Sequence, residues 1–273
     1  MTAQRPIGVF DSGVGGLSVL RALQAEMPGE RFVYVADNGH APYGERDDGH
    51  VIRRSHAIAD YLIERHAIKA LVVACNTATA AAIHGLRAAY VDLPIIGIEP
   101  ALKPAAAASN TGVVGVMATR GTLTSEKFRN LLTSLHGAAT FVLQPCDGLA
   151  DAIERYDTEQ SQTLCRQYTA AMGAFGNQVG EMDYLVLGCT HYAFASEALQ
   201  ALLGADVRLV EGGAPVARQT RRLLEQAQLR APDVTAPNEP VTQYFSTGDS
   251  ALLDSAVLRW MQHKIKTENL QVG

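Results

Sequence analysis

The sequence predicts an α/β protein made of two similar lobes with mainly parallel sheets, related by pseudo-twofold symmetry, with the active site in the cleft between them. Strand-like apolar runs alternate with longer amphipathic segments over most of the 273 residues. The runs are apolar throughout, which is typical of parallel strands covered by helices on both faces. The pattern also recurs once along the chain, which indicates an internal repeat.

Seven runs, each followed by a longer amphipathic segment, are the predicted strands of the two sheets. They are residues 6–10, 31–36, 70–75, 112–117, 139–144, 184–189 and 206–211. Near the end of the sequence, residues 241–249 read as one more strand and residues 250–262 as a helix.

The predicted domain organisation is discontinuous. Residues 1–98 and 210–273 are expected to form the first domain, and residues 99–209 the second. The first crossing falls at "GIEPALKPA", where Pro100 and Pro104 bracket a turn or helix start. The prolines of residues 230–240 predict a loop, after which the last strand and helix complete the first domain.

Composition argues against several classes of partner. The formal net charge is -5 and no run is rich in Lys or Arg, which argues against a nucleic-acid or membrane-surface role. No apolar stretch approaches the roughly 20 residues that span a bilayer, and the sequence does not begin with a signal-peptide pattern. We therefore expect a cytoplasmic protein that acts on a small molecule.

Two of the four cysteines occupy equivalent positions of the repeat. Cys75 ends the strand of "ALVVACNT", and Cys189 ends the strand of "DYLVLGCTH". A lone buried cysteine is usually a small hydrophobic residue, but recurrence at two strand ends favours a functional pair. Cys146 and Cys165 have no such twin and are interpreted as structural. The spacing shows no CxxC pair and no metal-ligand pattern, so free thiols are expected.

A glycine-rich turn, "DSGVGGLS", follows the first strand. A dinucleotide fingerprint would need a third glycine where Ser18 stands, although Asp37 lies where a ribose-binding acid is expected. In the other interpretation, the glycines allow a tight turn while Asp11 and Ser12 point into the cleft. Asp11 can also be an ordinary turn or helix-capping residue.

Two thiols on opposite sides of one carbon suit removal of a proton from one face and its return on the other, which is racemisation or epimerisation. A redox pair favours a local CxxC, and a covalent nucleophile needs only one thiol with a His base. Helix N-termini beside Cys75 and Cys189 are expected to favour thiolates, with Asp11 and His191 as assisting groups. A pyridoxal phosphate lysine has no short motif by which the sequence excludes it.

The motifs "FDSGVGGLSV", "APYG", "ACNTATA", "MATRGT" and "LGCTHY" together resemble the aspartate/glutamate racemase superfamily, and within it the cofactor-independent glutamate racemases. The resemblance covers nearly the whole chain, with gaps mainly in residues 136–182 and 228–245. It implies interconversion of L- and D-glutamate without a cofactor or metal, a supply of D-glutamate for peptidoglycan, and a homodimer.

The resemblance also implies roles for individual residues. Cys75 deprotonates the D-enantiomer and Cys189 the L-enantiomer, assisted by Asp11, His191 and Glu154. The residues implied in substrate binding are Asp11, Ser12, Tyr43, Gly44, Asn76, Thr77, Thr119 and Thr190.

Two departures from the family pattern bear on this assignment. Residues 211–213 read "EGG" where the family has an Asp-Ser-Gly-like turn, and Asp147 follows Cys146 where proline is common. The second departure affects the alignment around Glu154, which on its amphipathic helix can equally be a solvated surface residue. Relatives regulated by a cell-wall precursor carry an N-terminal extension, so that regulation is not expected here.

The sequence is also compatible with two alternatives to a glutamate racemase. One is a racemase for aspartate or another acidic amino acid, since a one-methylene difference is discriminated by only about 1–3 kcal/mol. The other is a non-catalytic binding protein, because some family members bind DNA gyrase, for which this sequence gives no support.

Overall fold

The computed structural model describes residues 2–232 and 241–272, in which strands and helices alternate along most of the chain. The described strands are β1 (Ile7–Asp11), β2 (Phe32–Ala36), β3 (Ala70–Val73), β4 (Ile95–Gly97), β5 (Val113–Ala118), β6 (Thr140–Pro145), β7 (Tyr184–Leu187), β8 (Arg208–Val210), β9 (Thr242–Ser246) and β10 (Glu268–Asn269). The described α-helices are α1 (Leu17–Glu26), α2 (Asp48–His66), α3 (Asn76–Ala89), α4 (Leu102–Ala108), α5 (Arg120–Thr124), α6 (Glu126–Thr133), α7 (Leu149–Glu154), α8 (Thr158–Met172), α9 (Ser196–Leu203), α10 (Gly213–Gln226) and α11 (Ser250–Met261). Short 3-10 helices lie at Asn38–His40, Tyr43–Glu45 and Thr190–Ala195.

The strands form two sheets in which every neighbouring pair is parallel. The larger sheet has the order β10-β9-β2-β1-β3-β4, and the smaller one has the order β6-β5-β7-β8. The predicted α/β class with two parallel sheets is confirmed. The order β2-β1-β3-β4 recurs as β6-β5-β7-β8, so β3 and β7 are equivalent strands and Cys75 and Cys189 follow equivalent strand ends.

The larger sheet combines strands from both ends of the chain, whereas the smaller sheet lies within residues 113–210. The strand and helix expected in residues 241–262 are β9 and α11. The short strands β4 and β10 were not among the predicted strands. Most of the loop predicted at residues 230–240 lies outside the described residues.

Each sheet has a hydrophobic core on both faces. In β1, Val9 packs toward α1, α10 and α11, whereas Phe10 packs toward α2 and α3. In the smaller sheet, Met117 packs toward α7, α8 and α9, whereas Val116 packs toward α4 and α6. This two-sided burial explains the uninterrupted apolar runs of the sequence. No helix within the described residues is long and apolar enough to cross a membrane.

Candidate active site

The carboxyl ends of the central strands of both sheets open onto one cavity. Parallel sheets bind ligands at this edge, because the loops there carry the exposed polar groups. The cavity is lined by the twelve residues predicted for catalysis and substrate binding, namely Asp11, Ser12, Tyr43, Gly44, Cys75, Asn76, Thr77, Thr119, Glu154, Cys189, Thr190 and His191. The structure therefore brings together residues that the sequence separates by up to 180 positions.

Cys75 lies at the start of α3 and is 5% exposed. The backbone N–H of Ala78 donates to its Sγ over 3.5 Å, and the thiol itself donates to Ser12 Oγ at 3.9 Å. Burial, and then the negative charge of Asp11, raise the pKa of the Cys75 thiol well above its ordinary value of 9.0. The N–H of Ala78 at the helix N-terminus lowers this pKa, in the predicted direction, but desolvation outweighs that contact.

Asp11 is fully buried at the end of β1 and contacts both lobes. Its Oδ1 accepts from the backbone N–H of Ser12 at 2.6 Å, and its Oδ2 accepts from Thr190 Oγ1 at 2.9 Å. Burial raises the pKa of Asp11, although the charge of His191 and these hydrogen bonds partly offset that effect. The turn that follows Cys189 is thus tied directly to the first lobe.

Cys189 differs from Cys75 in its partners. It precedes the 3-10 helix Thr190–Ala195, and its side chain makes no capping hydrogen bond to that helix. Instead, its Sγ lies 3.8 Å from Nδ1 of His191. The site is therefore asymmetric, with a helix cap at one cysteine and an imidazole at the other.

Glu154, at the end of α7, completes a chain of three side chains. Its Oε2 lies 2.7 Å from Nε2 of His191 and also accepts from the backbone N–H of Val14 at 2.8 Å. Burial lowers the pKa of His191, but its hydrogen bonds to Cys189 and Glu154 raise it well above the ordinary 6.5 overall. Glu154 is 7% exposed, so the alternative of a solvated surface residue is wrong.

The glycine-rich turn after β1 leaves room for the side chains of His191 and Glu154. A Cβ atom on Gly13 would lie 2.3 Å from Glu154 Oε2, and one on Gly15 would lie 2.3 Å from His191 Nδ1. These glycines are thus required by the close approach of the second lobe. The dinucleotide interpretation is not supported, because side chains of the second lobe occupy the space beside the turn.

The remaining wall is polar and joins the two lobes a second time. Thr77 Oγ1 lies 3.1 Å from Oγ1 of Thr119, the residue that caps α5. Asn76 is 5% exposed, and its Oδ1 has no hydrogen-bond partner among the described residues. A buried acceptor of this kind is costly unless a ligand donor fills it, which is consistent with substrate binding.

Sequence reasoning missed several cavity residues. Cys146, interpreted as structural, lies on the cavity wall with Asp147, and Arg120 forms an exposed 2.5 Å ion pair with Asp147. Glu45 lines the same cavity and accepts from the backbone N–H of Gly148 at 3.3 Å. The sequence did contain a signal for Cys146, because this cysteine lies just after a strand, as Cys75 and Cys189 do. Cys165 is fully buried in α8, in agreement with its structural interpretation.

Comparison with known proteins gives a consistent result. The family model for Asp/Glu/Hydantoin racemase matches residues 8–220. The chain is 48% identical over 249 residues to a glutamate racemase from Ectopseudomonas mendocina, covering 90% of this chain and 91% of that protein. The structure of this chain is similar to that of a glutamate racemase from Bacillus anthracis, with a TM-score of 0.86, 29% identity and 98% coverage of both chains. It is also similar to the Escherichia coli glutamate racemase in complex with L-glutamate and the activator UDP-MurNAc-ala, with a TM-score of 0.81, 30% identity and coverage of 98% and 99%.

Proposed function

The chain belongs to the Asp/Glu/hydantoin racemase family and is an isomerase that interconverts L- and D-glutamate, for which we propose a two-cysteine mechanism. One of Cys75 and Cys189 removes the α-proton from one face of the substrate, and the other donates a proton to the opposite face. The observation that supports this mechanism best is the placement of both thiols, at equivalent strand ends of the two lobes, on the wall of one cavity. A racemase needs one base and one acid on opposite faces of the same carbon. Two matched cysteines meet that requirement.

In the direction from L to D, the thiolate of Cys189 takes the α-proton and becomes a thiol. The Cys75 thiol then donates its proton to the opposite face of the carbanion and becomes the thiolate. The raised pKa of Cys75 supports its role as the initial acid, since burial and Asp11 keep it protonated. The imidazolium of His191, next to Cys189 and held by Glu154, stabilises the thiolate on the other side.

The reaction from D to L uses the same residues with the roles reversed. Cys75 must then start as the thiolate and Cys189 as the thiol, which is the state left by the L-to-D reaction. Before the enzyme can convert another L-glutamate, Cys189 must lose a proton and Cys75 must gain one. Asp11, beside Cys75, and His191, beside Cys189, are the groups placed to assist this exchange. We assign them, with Glu154, to that assisting role.

The polar wall of the cavity supports the carbanion-like transition state. The α-proton of an amino acid is only weakly acidic, so hydrogen bonds to the substrate carboxylate and exclusion of water must lower the barrier. We assign substrate binding to Ser12, Tyr43, Gly44, Asn76, Thr77, Thr119 and Thr190, together with Asp11, because all of them line this cavity. Cys75, Asn76 and Thr190 are each at most 5% exposed, which supports a site shielded from water.

The wider role follows from the product. D-Glutamate is a component of peptidoglycan, and we propose that this enzyme supplies it in the cytoplasm. We also propose that the enzyme is a homodimer. Each subunit then has two domains, one made of residues 1–98 plus 210–273 and the other of residues 99–209. The resemblance to glutamate racemases supports these assignments. Sedimentation velocity at several protein concentrations tests the dimer.

Isotope exchange tests the mechanism. The purified protein is incubated with L-glutamate in deuterated water without an added cofactor, and a parallel sample receives L-aspartate. We expect D-glutamate that carries deuterium at the α-carbon, with much slower exchange of aspartate. Absence of both D-glutamate and α-deuterium contradicts the proposed function, and faster reaction of aspartate identifies a different acidic substrate.

A further inference from the structure

Asp37 is a fully buried carboxylate that the proposed proton transfers do not use. It directly follows β2, next to the site, and its backbone N–H donates to the carbonyl of Asp11 at 2.9 Å. Asp37 is not among the described residues that line the cavity. A buried charge is costly unless it is fully paired, so the partners of Asp37 indicate its purpose.

Four hydrogen bonds fill the acceptor positions of this carboxylate. Arg54 binds it through two nitrogens, with Nη2 3.0 Å from Oδ1 and Nε 3.0 Å from Oδ2. The hydroxyl of Thr247, just after β9, donates to Oδ1 at 2.7 Å, and the hydroxyl of Tyr43 donates to Oδ2 at 2.5 Å. Asp37 therefore has no free oxygen with which to accept a proton from the substrate, or to bind a ribose.

Tyr43 connects this cluster to the cavity. It is 1% exposed, and together with Gly44 and Glu45 it forms a short 3-10 helix that lines the cavity. This helix touches the second lobe, because a Cβ atom on Gly44 would lie 2.7 Å from Cβ of Thr119. A displacement of Tyr43 would move a cavity wall and a contact between the lobes at the same time.

We propose that Asp37 and Arg54 are positioning residues that hold the Tyr43 hydroxyl, so that the ring of Tyr43 and the segment Tyr43–Glu45 form a fixed wall of the substrate cavity. The hydroxyl is committed to Asp37, and Tyr43 presents its ring and its backbone to glutamate. This inference rests on the proposed function of the cavity and adds to it a pair of residues that never touch the substrate.

Steady-state racemisation of L-glutamate by Asp37→Asn, Tyr43→Phe and the double variant tests the proposal. Each single variant is expected to raise KM about tenfold, which is the effect of losing one hydrogen bond to a charged group. The double variant is expected to be no worse than the worse single one, because both changes act on the same bond, which loses its charged acceptor in one variant and its donor in the other. The factor by which kcat falls is expected to be smaller, and the pH profile of kcat/KM should keep its shape.

Glu30→Gln is the matched control. Glu30 stands just before β2, as Asp37 stands just after it, and it is a 2% exposed carboxylate paired with Lys69 at 2.5 Å. Its substitution should lower the melting temperature without raising KM, and circular dichroism shows whether each variant is folded. Tyr43→Phe keeps the buried ion pair and therefore tests the proposal even if Asp37→Asn does not fold.

Three results would overturn the inference. A changed pH profile in Asp37→Asn would make Asp37 a proton carrier. A raised KM in Tyr43→Phe but not in Asp37→Asn would mean that the hydroxyl binds the substrate itself. Equal KM increases in Asp37→Asn and Glu30→Gln would show that the effect comes from general destabilisation of the fold and not from the position of Tyr43. If the wild-type chain does not racemise glutamate, the proposed function fails, and calorimetric Kd values for L-glutamate then decide the positioning role by the same comparison.

Discussion

Thr190 Oγ1 donates a 2.9 Å hydrogen bond to Oδ2 of Asp11, which lies 179 residues earlier in the chain. The bond joins the turn beside Cys189 to the strand end beside Cys75. The relative position of the two thiols is therefore set by contacts between the lobes as well as by each lobe alone.

Replacing either active-site cysteine with serine should abolish most of the racemisation. A hydroxyl is a far weaker acid than a thiol, and loss of one acid or base typically costs about 10²–10⁴-fold in rate. Cys75→Ser and Cys189→Ser are measured by circular dichroism with each enantiomer as substrate. Cys165→Ala, in the core of α8, is the control and should keep its activity while losing stability. A near wild-type rate in either serine variant contradicts the two-base assignment.

Glu154→Gln should move the alkaline limb of the pH profile of kcat/KM to lower pH. The pKa of His191 is raised by its hydrogen bonds to Cys189 and Glu154 despite burial, so removal of the Glu154 charge lowers it and the imidazolium is lost at lower pH. Initial rates across the pH range measure the limb. Glu159→Gln, an exposed change on α8, controls for the loss of one negative charge. An unshifted limb would mean that His191 does not act as a cation in this reaction.

Gly15→Ala should reduce kcat/KM about 100-fold, because a displacement of about 1 Å in an active site can have that effect. The added Cβ would stand 2.3 Å from His191 Nδ1, so the imidazole must leave its present position beside Cys189. Kinetics and thermal melting are compared with Gly85→Ala, an exposed position in α3 where alanine favours the helix. Wild-type kinetics in Gly15→Ala would show that the turn does not need glycine for this contact.

The sequence was sufficient for the fold class and for the recurrence of a cysteine at equivalent strand ends, because both depend on patterns that repeat along the chain. The recurrence of strand, cysteine and threonine shows in the sequence, and the equal strand orders of the two sheets explain it. The hydrogen bond from the backbone N–H of Val14 to the Glu154 carboxylate joins the two lobes across 140 positions of the sequence, and no local pattern encodes such a pair.

The protonation preference of Cys75 could not be predicted either. The sequence showed a helix N-terminus, which favours a thiolate, but it did not show the degree of burial or the distance to Asp11. The use of Asp37 was hidden for the same reason. Its partners Arg54, Tyr43 and Thr247 come from three separate segments that meet only in the folded chain.

Asp11→Asn should stabilise the folded protein at neutral pH while it impairs racemisation. Burial raises the pKa of Asp11 above its ordinary value of 3.8, which means that the folded state disfavours the ionised carboxylate more than the unfolded chain does. When the pH lies below the unfolded pKa, both states hold the proton and the penalty is absent. The penalty appears as the pH rises toward the folded pKa and stays constant above it. The melting temperature of the variant minus that of the wild type should therefore grow from about pH 4 upward and then level off. Asp92→Asn, at an exposed carboxylate, controls for the loss of charge. If the difference for Asp11→Asn shrinks as the pH rises, Asp11 stabilises the fold through its ionised form, and its contacts with Ser12 and Thr190 outweigh its burial.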